Sequence, residues 1–175
     1  LEPIGLLMRE HRLIERMIGF LQRINAEGEA KLDSIETAVD FFRTYADRTH
    51  HGKEEDILFR SLSNKQLSPE HKKIMEELVQ EHVFARNTVA SLLKAGQKYT
   101  GSDNSSLAEV KERINDLLRL YPAHIEKEDK RFFFPSMEYF SREERDLMLD
   151  EFYRFDQSMI HEKYEKLVSK LEQNR

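Results

Sequence analysis

The sequence predicts an all-α fold, an up-down-up-down four-helix bundle with an additional C-terminal helix. Three observations carry that expectation. Of the 175 residues, 39% are hydrophobic and 35% charged, with only 6 Gly and 4 Pro, a balance rich in helix formers and poor in turn residues. Helix-start and helix-stop residues recur at the spacing of long helices. Between them the apolar residues step by three and four, and no strand alternation competes with that period.

The elements follow in order. Pro3 suits the first turn of a helix that "NAEGE", with Gly28, closes. Asp33 and Glu36 have the spacing of a capping box and open a second helix, expected to end around Ser61–Asn64. "SPEH" (Ser68–His71) starts a third, with Pro69 in its first turn. "GSDNSS" (Gly101–Ser106) is a loop, and Ser106 with Glu109 makes a capping box for a fourth helix that Pro135 should kink or end. Ser141 and Glu144 open a fifth helix running to the C-terminus. The expected organisation is one domain over residues 1–175, its core bundle at about 4–135 and a helical extension at about 136–175.

Several function classes are excluded early. The net charge of -5 comes from interspersed charges, so neither a nucleic-acid surface nor an anionic-membrane surface is expected. There is no Cys, which removes disulfides, thiolate metal sites, iron–sulfur clusters and Cys nucleophiles. No apolar run reaches the roughly eighteen residues of a membrane span, and no signal peptide is visible, so the expected location is cytoplasmic.

The apolar seams contain the chemistry. The first helix gives Ile4, Leu7, His11, Ile14, Ile18; the second Val39, Phe42, Ala46, His50, Glu54, Ile57; the third Leu78, His82, Ala85, Val89; the fourth Ile114, Leu117, Tyr121, His124, Glu128. Each seam holds one His, and two hold a Glu one turn later. A lone His on an apolar face is usually a core residue with a backbone or water partner. Glu is almost never fully buried without a partner, and no Lys or Arg stands in these seams at that level. At about 1.5 Å per residue, the six groups fall roughly 9–20 Å above the end where the first helix begins, one layer of an antiparallel bundle. His-x-x-x-Glu points a nitrogen and an oxygen into one volume, and imidazole with carboxylate suits iron, manganese or zinc. The ferritin-like Glu-x-x-His pattern is absent.

"HHGKEEDILF" (50–59) and "HIEKEDKRFFF" (124–134) repeat His-x-x-Lys-Glu. In the first, His51 with Glu55 has the same spacing as His50 with Glu54, on a face rotated by about 100°. Superposing the repeats pairs His50 with His124 and Glu54 with Glu128, which sends His51 and Glu55 to the bundle edge. Charge-mixed stretches such as "EKEDKR" read as solvated helix surface and name no partner. His71, in a first turn, has no claim on the site.

"MREHRLIERM", "HHGKEEDILF", "EELVQEHVFAR" and "HIEKEDKRFFFP", in that order, resemble the helix signatures of the hemerythrin-like, HHE cation-binding family over about residues 4–135. The resemblance implies a four-helix bundle around a non-haem centre of two iron ions with bridging carboxylates and an oxo or hydroxo bridge. It implies that His11, His50, His82 and His124 are terminal ligands and that Glu54 and Glu128 are bridges. The chain departs from the oxygen carriers of that family, which have His-x-x-x-His on the third helix and an Asp five residues after the fourth-helix His. Here Leu78 and Arg86 flank His82, and Glu128 lies four residues after His124, with Asp129 at five. His161, in "MIHEKYEKL" beside Ile160, Tyr164, Leu167, Val168 and Leu171, is the candidate for a missing ligand, a surface position on the helix flank being the plainer reading. Tyr121 is a core residue or a neighbour that donates to the site.

The function expected is binding of, or reaction with, a small diatomic or peroxide ligand (oxygen, nitric oxide or peroxide) in sensing, scavenging or iron handling, with an electron donor unidentified. A di-iron peroxidase or nitric-oxide reductase is the enzymatic alternative. A helical interaction module tied together by a closed, inert metal site is the third.

Overall fold

The computed structural model describes residues 2–27, 30–99 and 104–173, with side chains undescribed at 164, 167 and 170–173. The closing turn at Gly28, the loop at Gly101–Asp103 and the apolar face assigned to Tyr164, Leu167 and Leu171 lie outside what is described. The described residues are helical almost throughout and contain no strand, so the all-α expectation holds.

The first helix, α1, spans Pro3–Ala26 with Pro at its start. α2 spans Leu32–Phe41 and continues through π-helical turns at Phe42–His51 and Glu54–Phe59 into α3, Arg60–Ser63. Asp33 caps nothing: the helix begins one residue before it, and Asp33 lies in the first turn, where its charge complements the helix dipole. α4 spans Pro69–Lys98, and the Ser68 hydroxyl caps it by accepting from the His71 N–H at 3.1 Å. α5 spans Asn104–Lys127, so Ser106 lies buried inside the helix and not at the position that precedes it. It carries Pro122 on an exposed face and continues through a π-helical turn, Glu128–Phe132, into α6, Phe133–Met137, two residues past Pro135. α7 spans Arg142–Gln173. The expected capping box is formed at its start, where Ser141 N–H donates to Glu144 Oε2 at 2.8 Å and Glu144 N–H donates to Ser141 Oγ at 3.2 Å.

Contacts run from α1 to the second long helix (32–63), from that helix to α4, from α4 to α5 and from α5 back to α1. Contacts at both ends set two of these pairs antiparallel. Along α1 and the fourth long helix (104–137), His11 meets Asp129 while Asn25 meets Asn115. Across the second helix and α4, Glu55 meets His82 while Ile35 meets Gly96. Two apolar clusters result. One gathers Ile14, Leu21, Ile35, Phe42, Val89, Leu92, Ile114 and Leu117; the other gathers Leu7, Ile57, Leu62, Leu78, Phe132, Phe133, Met148 and Phe152. Burying each such side chain contributes roughly 1.5–3 kcal/mol. Between the two clusters lies a buried polar layer: Glu10, His11, His50, His51, Lys53, Glu54, His82, His124 and Glu128.

Candidate metal centre

Buried His and Glu are costly unless each polar atom finds a partner, so the layer is best read atom by atom. The Nδ1 side of every histidine in it faces a carboxylate. His11 Nδ1 donates to Asp129, His50 to Glu10, His82 to Glu55 and His124 to Glu81, each at 2.7 Å, and His51 donates to Asp47 at 3.2 Å. A carboxylate only accepts, so each Nδ1 carries the hydrogen, and on a neutral ring Nε2 then presents a lone pair inward.

The inward side lacks protein donors. His11, His50 and His51 Nε2 and all four carboxylate oxygens of Glu54 and Glu128 are buried without a hydrogen bond. His82 and His124 have only each other, Nε2 to Nε2 at 3.2 Å. Neutral imidazoles so placed would face lone pair to lone pair. With the imidazoles neutral, seven side chains converge on one volume with acceptors and no protein group to donate to them. The two carboxylates span it. Glu54 presents Oε1 to His50 Nε2 (3.2 Å) and Oε2 to His82 Nε2 (3.4 Å), while Glu128 presents Oε2 to His11 (3.1 Å) and Oε1 to His124 (3.2 Å). Two groups with metal-binding spacing follow, His11, His50, Glu54 and Glu128 on one side and His51, Glu54, His82 and His124 on the other. The orphaned acceptors fit cations; nitrogen and oxygen donors without sulfur fit iron, manganese or zinc.

Without a cation, the carboxylates draw protons onto the imidazoles. Burial pushes His11 down, but Asp129, Glu128 and Glu54 outweigh it and raise its pKa to about 9. Burial is likewise overcome at His124, which Glu128 and Glu81 raise to about 10. His51 goes the other way: burial and the charges of His82, His50 and His124 hold it well below its ordinary value. Burial also works against charge on Glu128, yet His124, His11 and His82 keep it well below the usual carboxylate range.

The sequence places His51 and Glu55 at the bundle edge; the structure brings His51 inward and leaves Glu55 partly exposed. His51 is fully buried. The π-helical turns Phe42–His51 and Glu54–Phe59 rotate successive residues less than an α-helix does, so neighbours His50 and His51 both face inward. His51 belongs to a stack of near-parallel rings, Tyr121, His51, His82 and Phe59, with successive centroids 6.3, 3.8 and 6.1 Å apart. Tyr121 is thus core and touches the site through His51. Glu55 is half-buried and orients His82. His161 is exposed on α7 and belongs to neither group. His71 instead bonds the Tyr139 hydroxyl at 2.7 Å.

Among the described residues no Lys or Arg pairs with Glu54 or Glu128, but a Lys stands behind each repeated His. Lys53 is fully buried and pairs with Glu10, the carboxylate that holds His50. Lys127 pairs with Glu81 at 2.5 Å, the carboxylate that holds His124. The repeated His-x-x-Lys-Glu is thereby explained whole. The His offers Nε2, and the Lys neutralises the carboxylate behind that His. The Glu enters the centre, and the acidic residue after it, Glu55 or Asp129, orients a His of the other half (His82 or His11). "EKEDKR" is therefore not simply solvated surface. The signal was present in "EH" at Glu10–His11 and Glu81–His82, but each of those Glu residues serves a His on a neighbouring helix, which spacing along one helix does not reveal.

No curated protein and no solved structure matches the chain significantly. The family model for the hemerythrin HHE cation binding domain matches residues 2–134, a stretch that includes all seven converging side chains and ends before α7. On that match, the chain belongs to the hemerythrin HHE cation-binding family.

Proposed function

We propose that this hemerythrin-type cation-binding domain holds two iron ions and binds or reacts with oxygen, nitric oxide or peroxide. The observation that carries the reading is the set of seven buried side chains whose acceptor atoms face one another while their outer nitrogens are already engaged. His11 and His50 would serve one ion, His51, His82 and His124 the other, and Glu54 and Glu128 would bridge them. His51 takes the place that His161 was a candidate for. When bound, the ions supply redox chemistry and a position for a small ligand. The chain's part is to fix the imidazoles through their Nδ1 partners, to exclude water with the apolar clusters above and below, and to restrict entry by size. The ring of helix contacts, two of its pairs antiparallel, supports an up-down-up-down bundle as the frame, with α7 added to the same domain. A cavity of about 220 Å³, lined by Phe42, Val89, Arg86, Tyr121 and Asp47, adjoins His51 through the last two and has ample room for a diatomic or peroxide ligand.

The test is anaerobic loading with ferrous iron followed by titration with nitric oxide, oxygen and hydrogen peroxide. A saturable change in the optical spectrum with at least one ligand is the expected result. Sustained consumption of peroxide or nitric oxide with a reductant would favour the enzymatic form of the reading. No response to any of the three would leave only a structural metal site.

A further inference from the structure

The two halves of the centre differ in one member. In the second half, Lys127 reaches two carboxylates, Glu81 at 2.5 Å and Glu77 at 3.1 Å, and Glu77 lies one turn before Glu81 on α4. The matching position in the first half, one turn before Glu10 on α1, is Leu6. Lys53 therefore has no second carboxylate within the bundle. It finds one on α7, where Asp156 accepts from Lys53 Nζ at 2.5 Å. α7 lies outside the family match and packs across α1 and the helix that carries His50 and Glu54.

Other features fit this docking. Gly52, between His51 and Lys53, leaves room for Phe155: a Cβ there would meet the Phe155 ring at 2.7 Å. Phe152, one turn before Asp156, is fully buried. Lys53 is sealed from water, whereas Lys127 keeps 19% of its side chain exposed. A buried ammonium costs several kcal/mol unless paired and hydrogen-bonded, so undocking α7 would leave Lys53 and Glu10 to water on the face that orients His50.

Resting on the di-metal reading above, we propose that α7 is a latch on the metal centre, with Asp156 as a positioning residue that acts through Lys53 and Glu10 on His50. Docking of α7 and retention of metal then reinforce each other, as linkage requires. The test uses the full chain loaded with ferrous iron, challenged with excess chelator under anaerobic conditions. Asp156→Asn should release metal about tenfold faster than wild type, at the lower end for outer partners of metal ligands. Asp156→Glu, which keeps the carboxylate, should restore slow release. Glu151→Gln removes another α7 carboxylate, the partner of Arg60, and should leave release unchanged. Hydrogen exchange on the unaltered chain supplies a readout that needs no variant: residues 148–160 should exchange more slowly in the loaded protein, by a larger factor than the far end of the bundle at residues 14–24. Equal release from all four proteins, or equal exchange of α7 with and without metal, would overturn the latch. A wild-type chain that takes up no metal would defeat the reading of the site itself, and the latch with it.

Discussion

The imidazoles of His51 and His82 lie face to face, their centroids 3.8 Å apart and their planes 12° from parallel. Both belong to one metal-binding group, and their Nδ1 partners, Asp47 and Glu55, are bridged by the single guanidinium of Arg86 at 2.8 and 2.6 Å. Two charged rings could not stack so closely. Neutral rings can, and this contact seats His51 among the residues that could hold a metal ion.

His51→Ala should therefore reduce bound metal to about one ion per chain, or weaken the second ion by roughly 10–100-fold. His161→Ala, at an exposed position, should change nothing. Metal content of the two variants, measured side by side, decides between them. Loss at His161 with retention at His51 would restore the register read from the apolar seam.

That register shows how far a sequence of this kind can be read. His11, His50, His82, His124, Glu54 and Glu128 all converge as expected, because 3.6-residue periodicity puts them on the apolar faces of long helices. His51 was misplaced because the π-helical turns on either side change the rotation per residue, and nothing in the apolar spacing marks them. Lys53, Glu10 and Asp156 were missed for a different reason. Their pairing joins three elements, and charged residues in a mixed run look solvated until the helix that covers them is placed.

Glu54→Gln and Glu128→Gln should each cost both ions, since each carboxylate faces both groups. Glu55→Gln should be milder, a loss of roughly 10–100-fold in affinity through a less well held His82. Chelator competition orders the three variants. Equal effects at Glu54 and Glu55 would contradict the bridging geometry.

The metal-free protein should lose stability as the pH rises. His11 and His124 are raised from 6.5 to about 9 and about 10, so their contribution is complete below about pH 6.5 and disappears as the pH passes through those values. The unfolding temperature of chelated protein should fall between pH 7 and pH 10, with a smaller change in loaded protein. Loading at pH 7 should also release protons, detectable with an indicator dye. A flat unfolding temperature in the chelated protein would contradict the protonated imidazoles.

Gly52→Ala should destabilise the fold by about 1–3 kcal/mol, because the added methyl meets the Phe155 ring. Adding Phe155→Leu should recover part of the loss. Thermal unfolding of the single and double variants checks the contact between the site helix and α7.

On the proposed reading, seven side chains hold a pair of metal ions. Elemental analysis of protein purified without chelator or added metal tests it most directly, with the double variant Glu54→Ala/Glu128→Ala as the comparison. About two ions per chain, iron foremost, are expected in the wild type and essentially none in the variant. A wild-type chain that is folded yet metal-free, or a variant that keeps its two ions, would contradict it.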